Sequence, residues 1–179
     1  MRVTVGTKEI HYPSLEFTEG ILLFTGPSGS GKTTLLRALH GELAVKDSFE
    51  NWPRNKTAMM PQQNTWIPYL NLGIQLRQFG GPTAELIACQ LKLERQLEKH
   101  PNELSVGQLQ RFSLALTLSQ DSSVFLLDEP TSALDDDLAD LVFALIDEKL
   151  KESDRTTILA VTHDPRMKNH FSTAKTWQL

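Results

Sequence analysis

The chain has 179 residues, enough for one domain with its own apolar core. Its net charge of −4 argues against a broad electrostatic grip on nucleic acid, so we expect no nucleic-acid partner. The single cysteine, Cys89, excludes an internal disulfide and fits a reducing compartment. The N-terminus lacks the pattern of a secretory signal, and the apolar runs are far too short to cross a bilayer. These features predict a cytoplasmic protein that reaches a membrane only through a partner.

The first nineteen residues alternate loosely between apolar and polar side chains and predict two short strands at a sheet edge. Their apolar positions are Val3, Val5, Ile10, Leu15 and Phe17. The apolar run 21–24 predicts a buried strand, and the run 35–39 predicts a helix that Gly41 closes. The segment up to Arg54 is irregular and predicts a short strand or loop, and residues 58–60 predict a brief strand.

The residue pattern changes between residues 69 and 103, where a glycine-proline break and a helical apolar period predict a small helical insert. Gly80-Gly81-Pro82 marks a break within it. The positions that we expect to share one helical face beyond the break are Leu86, Cys89, Leu93 and Leu97. Pro101 should stop this helix because proline has no amide N–H to donate.

The second half of the chain alternates helices with strands, which predicts a parallel-rich α/β core. A helix is expected from Ser105 to about Leu118, because Ser105 and Gln108 have the spacing of a capping box. The apolar run 124–127 is typical of a parallel strand covered on both faces, and residues 157–162 predict another buried strand. Between them, apolar residues recur with helical period behind three aspartates, which suit the positive end of a helix.

The most specific pattern in the chain is a glycine-rich loop between the first buried strand and its helix. Gly26, Gly31, Lys32 and Thr33 fill every fixed position of G-x-x-x-x-G-K-[ST]. In that pattern, backbone N–H groups and a helix N-terminus surround a polyphosphate, the lysine reaches the β- and γ-phosphates, and the threonine hydroxyl binds Mg²⁺. A chance match in a surface loop would not be expected to have this strand and helix around it. The sequence therefore predicts a nucleoside triphosphate site. Its predicted contacts are Gly26, Pro27, Ser28, Gly29, Ser30, Gly31, Lys32, Thr33 and Thr34.

Two acidic residues follow the apolar run 124–127. Asp128, at the end of the predicted strand, is placed to hold Mg²⁺ through water, and Glu129 beside it can polarise an attacking water. The alternative, a strand that ends in two solvated acids, is disfavoured by the phosphate loop upstream.

The segment Leu104-Ser105-Val106-Gly107-Gln108 resembles the LSGGQ signature of the ABC ATPases. The basic residue Arg111 that follows it, and the approach through residues 100–103, also look like this family. A serine hydroxyl and glycine N–H groups at a helix N-terminus form an anion site. Val106 departs from the family, because it stands where the first glycine of the signature usually lies.

Three further motifs match the family in its usual order. Residues 132–135 match the D-loop, and His163 matches the switch histidine, which the resemblance implies contacts the γ-phosphate. Gln62 resembles the Q-loop glutamine, with Gln63 as the alternative. The catalytic set then becomes Lys32, Gln62, Glu129 and His163, with magnesium contacts from Thr33, Gln62 and Asp128. The residues that the resemblance adds to the nucleotide site are Ser105, Gly107, Gln108 and Asp135.

The aromatic residue that stacks on adenine in this family has no clear counterpart. Tyr12 lies closer to Lys32 than that residue normally does. It is either the stacking residue or a packed strand residue, and the spacing favours the second.

The resemblance implies a single ABC-type ATP-binding cassette over residues 1–179. Its fold class would be α/β, a P-loop NTPase with a parallel-rich core sheet, an antiparallel β edge and a small helical subdomain at about 69–103. Its cofactors would be ATP and Mg²⁺. Family cassettes dimerise head to tail, so we expect a homodimer or paired cassette in the ATP-bound state. The implied function is ATP hydrolysis that powers transport of an unidentified substrate through a separate integral membrane permease, at the cytoplasmic face of the inner membrane.

Two other classes remain as alternatives. One is a soluble ABC ATPase that acts on nucleic acid, the ribosome or cofactor assembly, but the chain has no heptad tract and only one cassette. The other is a P-loop kinase, which would lack the signature at residues 105–108.

Overall fold

The fold is described for residues 2–12, 19–46, 52, 56–62 and 65–179 of a computed structural model. The β-strands are β1 (Arg2–Val5), β2 (Lys8–His11), β3 (Gly20–Thr25), β4 (Val45–Lys46), β5 (Thr57–Met60), β6 (Val124–Asp128), β7 (Thr157–Val161) and β8 (Lys175–Gln178). The α-helices are α1 (Lys32–His40), α2 (Leu72–Gln90), α3 (Val106–Leu118), α4 (Asp136–Lys151) and α5 (Pro165–His170). Short 3-10 helices lie at Glu94–Gln96 and Pro101–Glu103. The predicted positions Leu15, Phe17, Arg54 and Gln63 lie outside the described residues.

The larger of the two described sheets is parallel throughout and has the order β5-β6-β7-β3-β8. β6 and β7, in its middle, are buried along their whole length. Strands covered on both faces need continuous apolar runs, as the sequence has at 124–127. Because the strands are parallel, the ends of β3, β5, β6 and β7 meet at one edge of the sheet. The prediction of a parallel-rich α/β core is confirmed.

The smaller described sheet is antiparallel and has the order β2-β1-β4. β1 and β2 form a hairpin in which Val3 lies opposite Ile10. Val3 is fully buried and packs in the same apolar cluster as Leu22 of β3 and Leu35 of α1. The predicted antiparallel edge is therefore present, and it covers one side of the parallel sheet.

Side chains of the parallel strands alternate between two apolar layers. On β3, Leu22 and Phe24 face the layer that contains α1, while Leu23 faces the layer that contains α2, α3 and α4. On β6, Leu126 and Leu127 divide between the layers in the same way. This alternation follows from the two-residue period of a strand, and it places helices on both faces.

Helix α2 is interrupted where the sequence predicted a break. Gly81 has φ 66° and ψ −166°, which is not helical, and Pro82 starts the second half. At Gly80, an added Cβ would come within 2.5 Å of the hydroxyl oxygen of Ser119, so glycine lets α2 approach the end of α3. No helix in the described part of the chain combines the length and apolar character needed to cross a membrane.

The expected helix up to Pro101 is wrong, because α2 ends at Gln90. Lys92 adopts a left-handed φ of 58°, and the chain continues through the 3-10 helices. The expected helical face is wrong as well, since Leu86 is 67% exposed and Cys89 is exposed. The buried face of this half-helix is instead made by Ala84 and Ala88, whose small side chains allow close packing.

Candidate active site

The glycine-rich loop connects β3 to α1, as the sequence predicted. Gly26, Gly29 and Gly31 have φ values of 143°, 81° and 95°, which side chains rarely allow. Gly31 caps α1 without a side-chain hydrogen bond. The first N–H groups of a helix have no intrahelical partner, so the start of α1 can donate to an anion.

Lys32, the first residue of α1, turns its ammonium back over the loop. Its side chain is almost completely buried. Its Nζ donates to the carbonyl oxygens of Gly26 at 2.9 Å and Pro27 at 2.8 Å. The charge is therefore fixed beside the loop that the sequence assigns to phosphates.

A cleft of about 410 Å³ opens at this edge of the sheet and brings together most of the predicted residues. Its walls include Ile10, Ser28, Gly29, Gly31, Lys32, Thr33, Thr34, Gln62, Asp128, Glu129, Val161 and His163. Each of the loops after β3, β5, β6 and β7 contributes to it. Gly26, Pro27 and Ser30 belong to the same loop but do not form its walls.

Asp128 ends β6 and is 1% exposed. Burial raises its pKa, and the Thr33 hydroxyl and the Lys32 ammonium partly offset this effect. The Thr33 hydroxyl lies close enough to influence the carboxylate, but among the described residues neither oxygen of Asp128 has a well-formed hydrogen bond. A buried carboxylate without hydrogen bonds, beside a threonine hydroxyl, suits a hard cation.

The described residues contain no cluster of three or more His, Cys, Asp or Glu side chains that could hold a metal by themselves. Mg²⁺ usually keeps several waters and takes one or two carboxylates plus the phosphates of the substrate. Thr33 and Asp128 therefore fit this ion only in company with a phosphate ligand, and Gln62 is an exposed residue at the same cleft.

Glu129 and His163, in the loops after the adjacent strands β6 and β7, contact one another at the cleft. The His163 N–H donates to Glu129 Oε2 at 3.2 Å, and His163 Nε2 lies 3.7 Å from Glu129 Oε1. Burial raises the pKa of Glu129, and the contact with His163 partly offsets it. A carboxylate with a raised pKa next to a phosphate site can accept a proton from water.

Glu129 has a left-handed backbone with φ 52°, which is unusual for a residue with a side chain. Its N–H donates to the Val161 carbonyl at 2.9 Å. Its carbonyl accepts hydrogen bonds from the Gln110 side-chain amide of α3 and from the Ser132 hydroxyl. These contacts on both sides hold the unusual conformation.

Gln110 also supports the site, although no sequence pattern predicted it. It lies on α3, 19 residues before Glu129 in the chain. Nothing in its local sequence marks it, although its position three residues before Ser113 places it on the buried side of α3.

Tyr12 lies beneath the phosphate loop. It is 6% exposed, and its hydroxyl donates to the Gly31 carbonyl at 2.8 Å. Burial raises the pKa of Tyr12 to about 12. These contacts fit the packed strand residue that the spacing favoured.

The predicted capping box at the start of α3 is present. The Gln108 N–H donates to Ser105 Oγ at 3.2 Å, and the Ser105 N–H donates to Gln108 Oε1 at 2.9 Å. Neither residue lines the cleft of its own chain, and nor does Gly107. Val106 is 75% exposed, so its side chain points to solvent.

Asp135 lies at the N-terminus of α4, also outside the cleft. Its carboxylate accepts from the Leu138 N–H at 3.0 Å and so caps the helix. The cleft therefore collects the phosphate loop, Gln62, Asp128, Glu129 and His163, whereas the signature residues and Asp135 lie on the surface.

Comparisons with known proteins agree with this arrangement. The family described as ABC transporter matches residues 13–132. The chain is 38% identical over 162 residues to the thiamine import ATP-binding protein ThiQ of Haemophilus influenzae, covering 78% of this chain and 74% of that protein. It is 37% identical over 165 residues to the Fe(3+) ions import ATP-binding protein FbpC of Pseudomonas fluorescens, covering 79% of this chain and 47% of that protein.

A solved structure also resembles the fold closely. It is a dimeric ATP-binding cassette in a post-hydrolysis state, bound to ADP and Pi. The TM-score is 0.74 at 25% identity, covering 94% of this chain and 87% of that chain.

Proposed function

The chain belongs to the ABC transporter family and is an ATPase, and from that premise we propose that it powers uptake of a substrate through a separate membrane permease. The observation that carries the proposal is the convergence of Lys32, Asp128, Glu129 and His163 on one phosphate-binding cleft. The relatives named for thiamine and iron import favour uptake as the direction. The transported substrate stays unidentified.

In the proposed mechanism, the phosphate loop and the start of α1 bind the triphosphate through backbone N–H groups. Lys32 would give up its carbonyl contacts to bind the β- and γ-phosphates. Thr33 and Asp128 would hold Mg²⁺, with Gln62 as a further contact. Mg²⁺, when bound, neutralises charge that develops on the phosphate oxygens.

Glu129 is proposed as the base that takes a proton from the attacking water. Its raised pKa improves the match between a carboxylate and this task at neutral pH. His163 would bind the γ-phosphate from its position beside Glu129, which it contacts. Their proximity would place the base and a γ-phosphate contact side by side for an in-line attack by water.

A second cassette would complete the site, in a homodimer or a paired complex. Ser105, Gly107 and Gln108 lie outside their own cleft, so they are free to cover the triphosphate of a partner cassette. The dimeric, nucleotide-bound neighbour supports this arrangement. The exposed Val106 would then stand at the rim of the interface rather than on the phosphates.

The permease would dock in a groove of about 710 Å³ with a mixed polar and apolar lining, next to Gln62 in the chain. Pro61 and Trp66, which follow β5, form one wall, while Phe79 of α2 and Leu116 of α3 form another. Phe79 is 49% exposed, so a helix of the permease could bury its ring. We propose a cytoplasmic helix of the permease as the occupant. A contact beside Gln62 would link that docking to the nucleotide site.

This assignment implies a cassette at the cytoplasmic face of the membrane, held there by its permease. We propose that residues 1–179 form one cassette and that residues 69–103 are its helical subdomain, which supplies Phe79 to the groove. The negative net charge supports the absence of a nucleic-acid partner.

The test is the variant Glu129→Gln, which keeps the shape of the side chain and removes the base. We expect ATP to bind and persist, so the protein should elute as an ATP-dependent dimer on size-exclusion chromatography with negligible phosphate release. Glu148→Gln, an exposed glutamate of α4, is the matched control and should hydrolyse ATP normally. Normal turnover by Glu129→Gln would assign the base to another residue.

A further inference from the structure

Arg166, the second residue of α5, lies between the loop after β6 and the loop after β7. Its guanidinium forms a fork of two hydrogen bonds to the carboxylate of Asp164, in the loop after β7. Its Nε donates to Asp164 Oδ1 at 3.0 Å, and its Nη2 donates to Oδ2 at 2.8 Å. Two parallel hydrogen bonds of this kind fix the orientation of the guanidinium.

The same guanidinium reaches across to the D-loop, residues 132–135. Nη1 donates to Asp136 Oδ1 at 2.6 Å, and Nη2 donates to the Leu134 carbonyl at 3.1 Å. A second link joins the loops directly, because the Thr131 hydroxyl donates to Asp164 Oδ2 at 2.6 Å. The D-loop is therefore held at both ends against the segment that follows His163.

The charges at this junction compensate one another. Burial favours the neutral form of Asp164, but the hydrogen bonds from Arg166 and Thr131 outweigh burial and lower its pKa. The carboxylates of Asp164 and Asp136 in turn raise the pKa of Arg166. Asp164 and Arg166 therefore both stay ionised at neutral pH.

The hydrogen bonds that Arg166 makes to both loops lie next to Glu129 and His163. Glu129 and His163 line a second cleft of about 400 Å³, together with Ser132, Asp164, Pro165 and Arg166. Glu129 precedes the D-loop and His163 precedes Asp164, so a shift between the two loops would change the contact between Glu129 and His163.

We propose that Arg166 is a positioning residue for ATP hydrolysis, which sets the placement of Glu129 relative to His163 by holding the D-loop against the loop after β7. This inference rests on the proposed roles of Glu129 and His163. Arg166 itself does not line the nucleotide cleft and contacts no reacting atom.

A role limited to capping α5 is separable from this one. The cap is the backbone N–H of Arg166, which donates to Asp164 Oδ1 at 2.9 Å, and any substitution other than proline keeps this donor. Side-chain variants therefore test the link between the loops rather than the start of the helix.

The experiment compares Arg166→Gln and Arg166→Lys with the wild-type chain in steady-state ATPase assays. Arg166→Gln should lower kcat by about tenfold to a hundredfold, the range typical of small misplacements in an active site, with KM for ATP changed by less than about threefold. Arg166→Lys keeps the charge but loses the fork, so it should recover less than half of the lost kcat. The control Arg77→Gln breaks an exposed ion pair of α2, between Arg77 and Glu85 at 3.0 Å, and should leave kcat unchanged.

Wild-type kcat in Arg166→Gln would overturn the inference, and so would full recovery in Arg166→Lys. If Arg166→Gln does not fold, the lysine variant alone decides, since only a loss of kcat at unchanged KM supports positioning. Glu129→Gln separates the two proposals. If it is inactive while Arg166→Gln is normal, only the role of Arg166 falls; if Glu129→Gln is active, both roles fall.

Discussion

A methyl group at Gly107 would come within 2.7 Å of the carbonyl oxygen of Ala133. Gly107 lies in the first turn of α3, and Ala133 lies in the D-loop. Because glycine has no side chain, the backbone of α3 can pack directly against the backbone of the D-loop in the same chain. Gly107, the glycine of the signature, therefore has a packing role within its own chain, in addition to any contact with a partner cassette.

Gly107→Ala should therefore lower ATPase turnover by about tenfold or more, because the D-loop must move to admit the methyl group. Alanine stabilises a helix relative to glycine by about 1 kcal/mol, which offsets part of the cost of the close contact. The melting temperature should therefore fall little even though turnover falls strongly. The companion variant Val106→Gly should change turnover only mildly, since the valine side chain is exposed. A large gain from Val106→Gly would instead indicate a weakened signature.

Tyr12→Phe should weaken the support of the phosphate loop. The change removes the hydroxyl that donates to the Gly31 carbonyl but keeps the buried ring. We expect the free energy of unfolding to fall by about 1 kcal/mol and KM for ATP to rise a few-fold. Urea titration and steady-state kinetics measure the two effects. Tyr69→Phe, at a ring that is 77% exposed, should change neither.

Asp128→Asn should raise the melting temperature at pH 7 and nearly abolish Mg²⁺-dependent ATPase activity. Burial raises the pKa of Asp128, so the folded state binds its proton more tightly than the unfolded chain. Ionised Asp128 therefore lowers stability above the raised pKa, and this penalty fades as pH falls toward the ordinary carboxylate value. The uncharged amide removes the penalty at neutral pH.

The same variant tests the magnesium site without an activity assay. In the wild type, Mg²⁺ together with ATP should raise the melting temperature more than ATP alone, because a ligand of the native state stabilises it. Asp128→Asn should lose that extra increment. An increment of wild-type size in Asp128→Asn would remove Asp128 from the metal site.

Phe79→Ser should weaken association with the permease without lowering the ATPase activity of the isolated cassette. Its ring is half exposed in the groove, and a buried aromatic anchor commonly contributes tenfold or more to binding, about 1.4 kcal/mol or above. Co-purification from membranes with the permease subunit of the transporter is the measurement. Leu86→Ser, an exposed leucine elsewhere on α2, is the control and should co-purify normally. Equal loss in both variants would place the docking surface outside the groove.

Much of the fold could be predicted because its signals are local. A strand covered on both faces needs a continuous apolar run, which is why residues 124–127 identified β6. Ser105 and Gln108 cap α3 through contacts within one helical turn, so their spacing alone was sufficient. The phosphate loop is likewise a contiguous pattern.

The failures have a different cause. Helical period placed Leu86 on a buried face, but packing against α3 selected the smaller Ala84 and Ala88 instead. Gln110 and Arg166 act through partners 19 and about 30 residues away in the chain, and no local pattern encodes such a meeting. The sequence predicted the charged residues that the fold brings together at the cleft, whereas the contacts of Gln110 and Arg166 depended on the assembled fold.

The nucleotide cleft draws its walls from the ends of β3, β5, β6 and β7, which join segments as distant as Gly29 and His163. Pairing of strands so far apart in the chain is a slow part of folding, because long loops must close first. A nucleotide thus meets a complete site only after the parallel sheet has formed. ATP should therefore slow unfolding of the folded protein without accelerating its refolding. Binding of a fluorescent nucleotide during refolding would report when the cleft is complete.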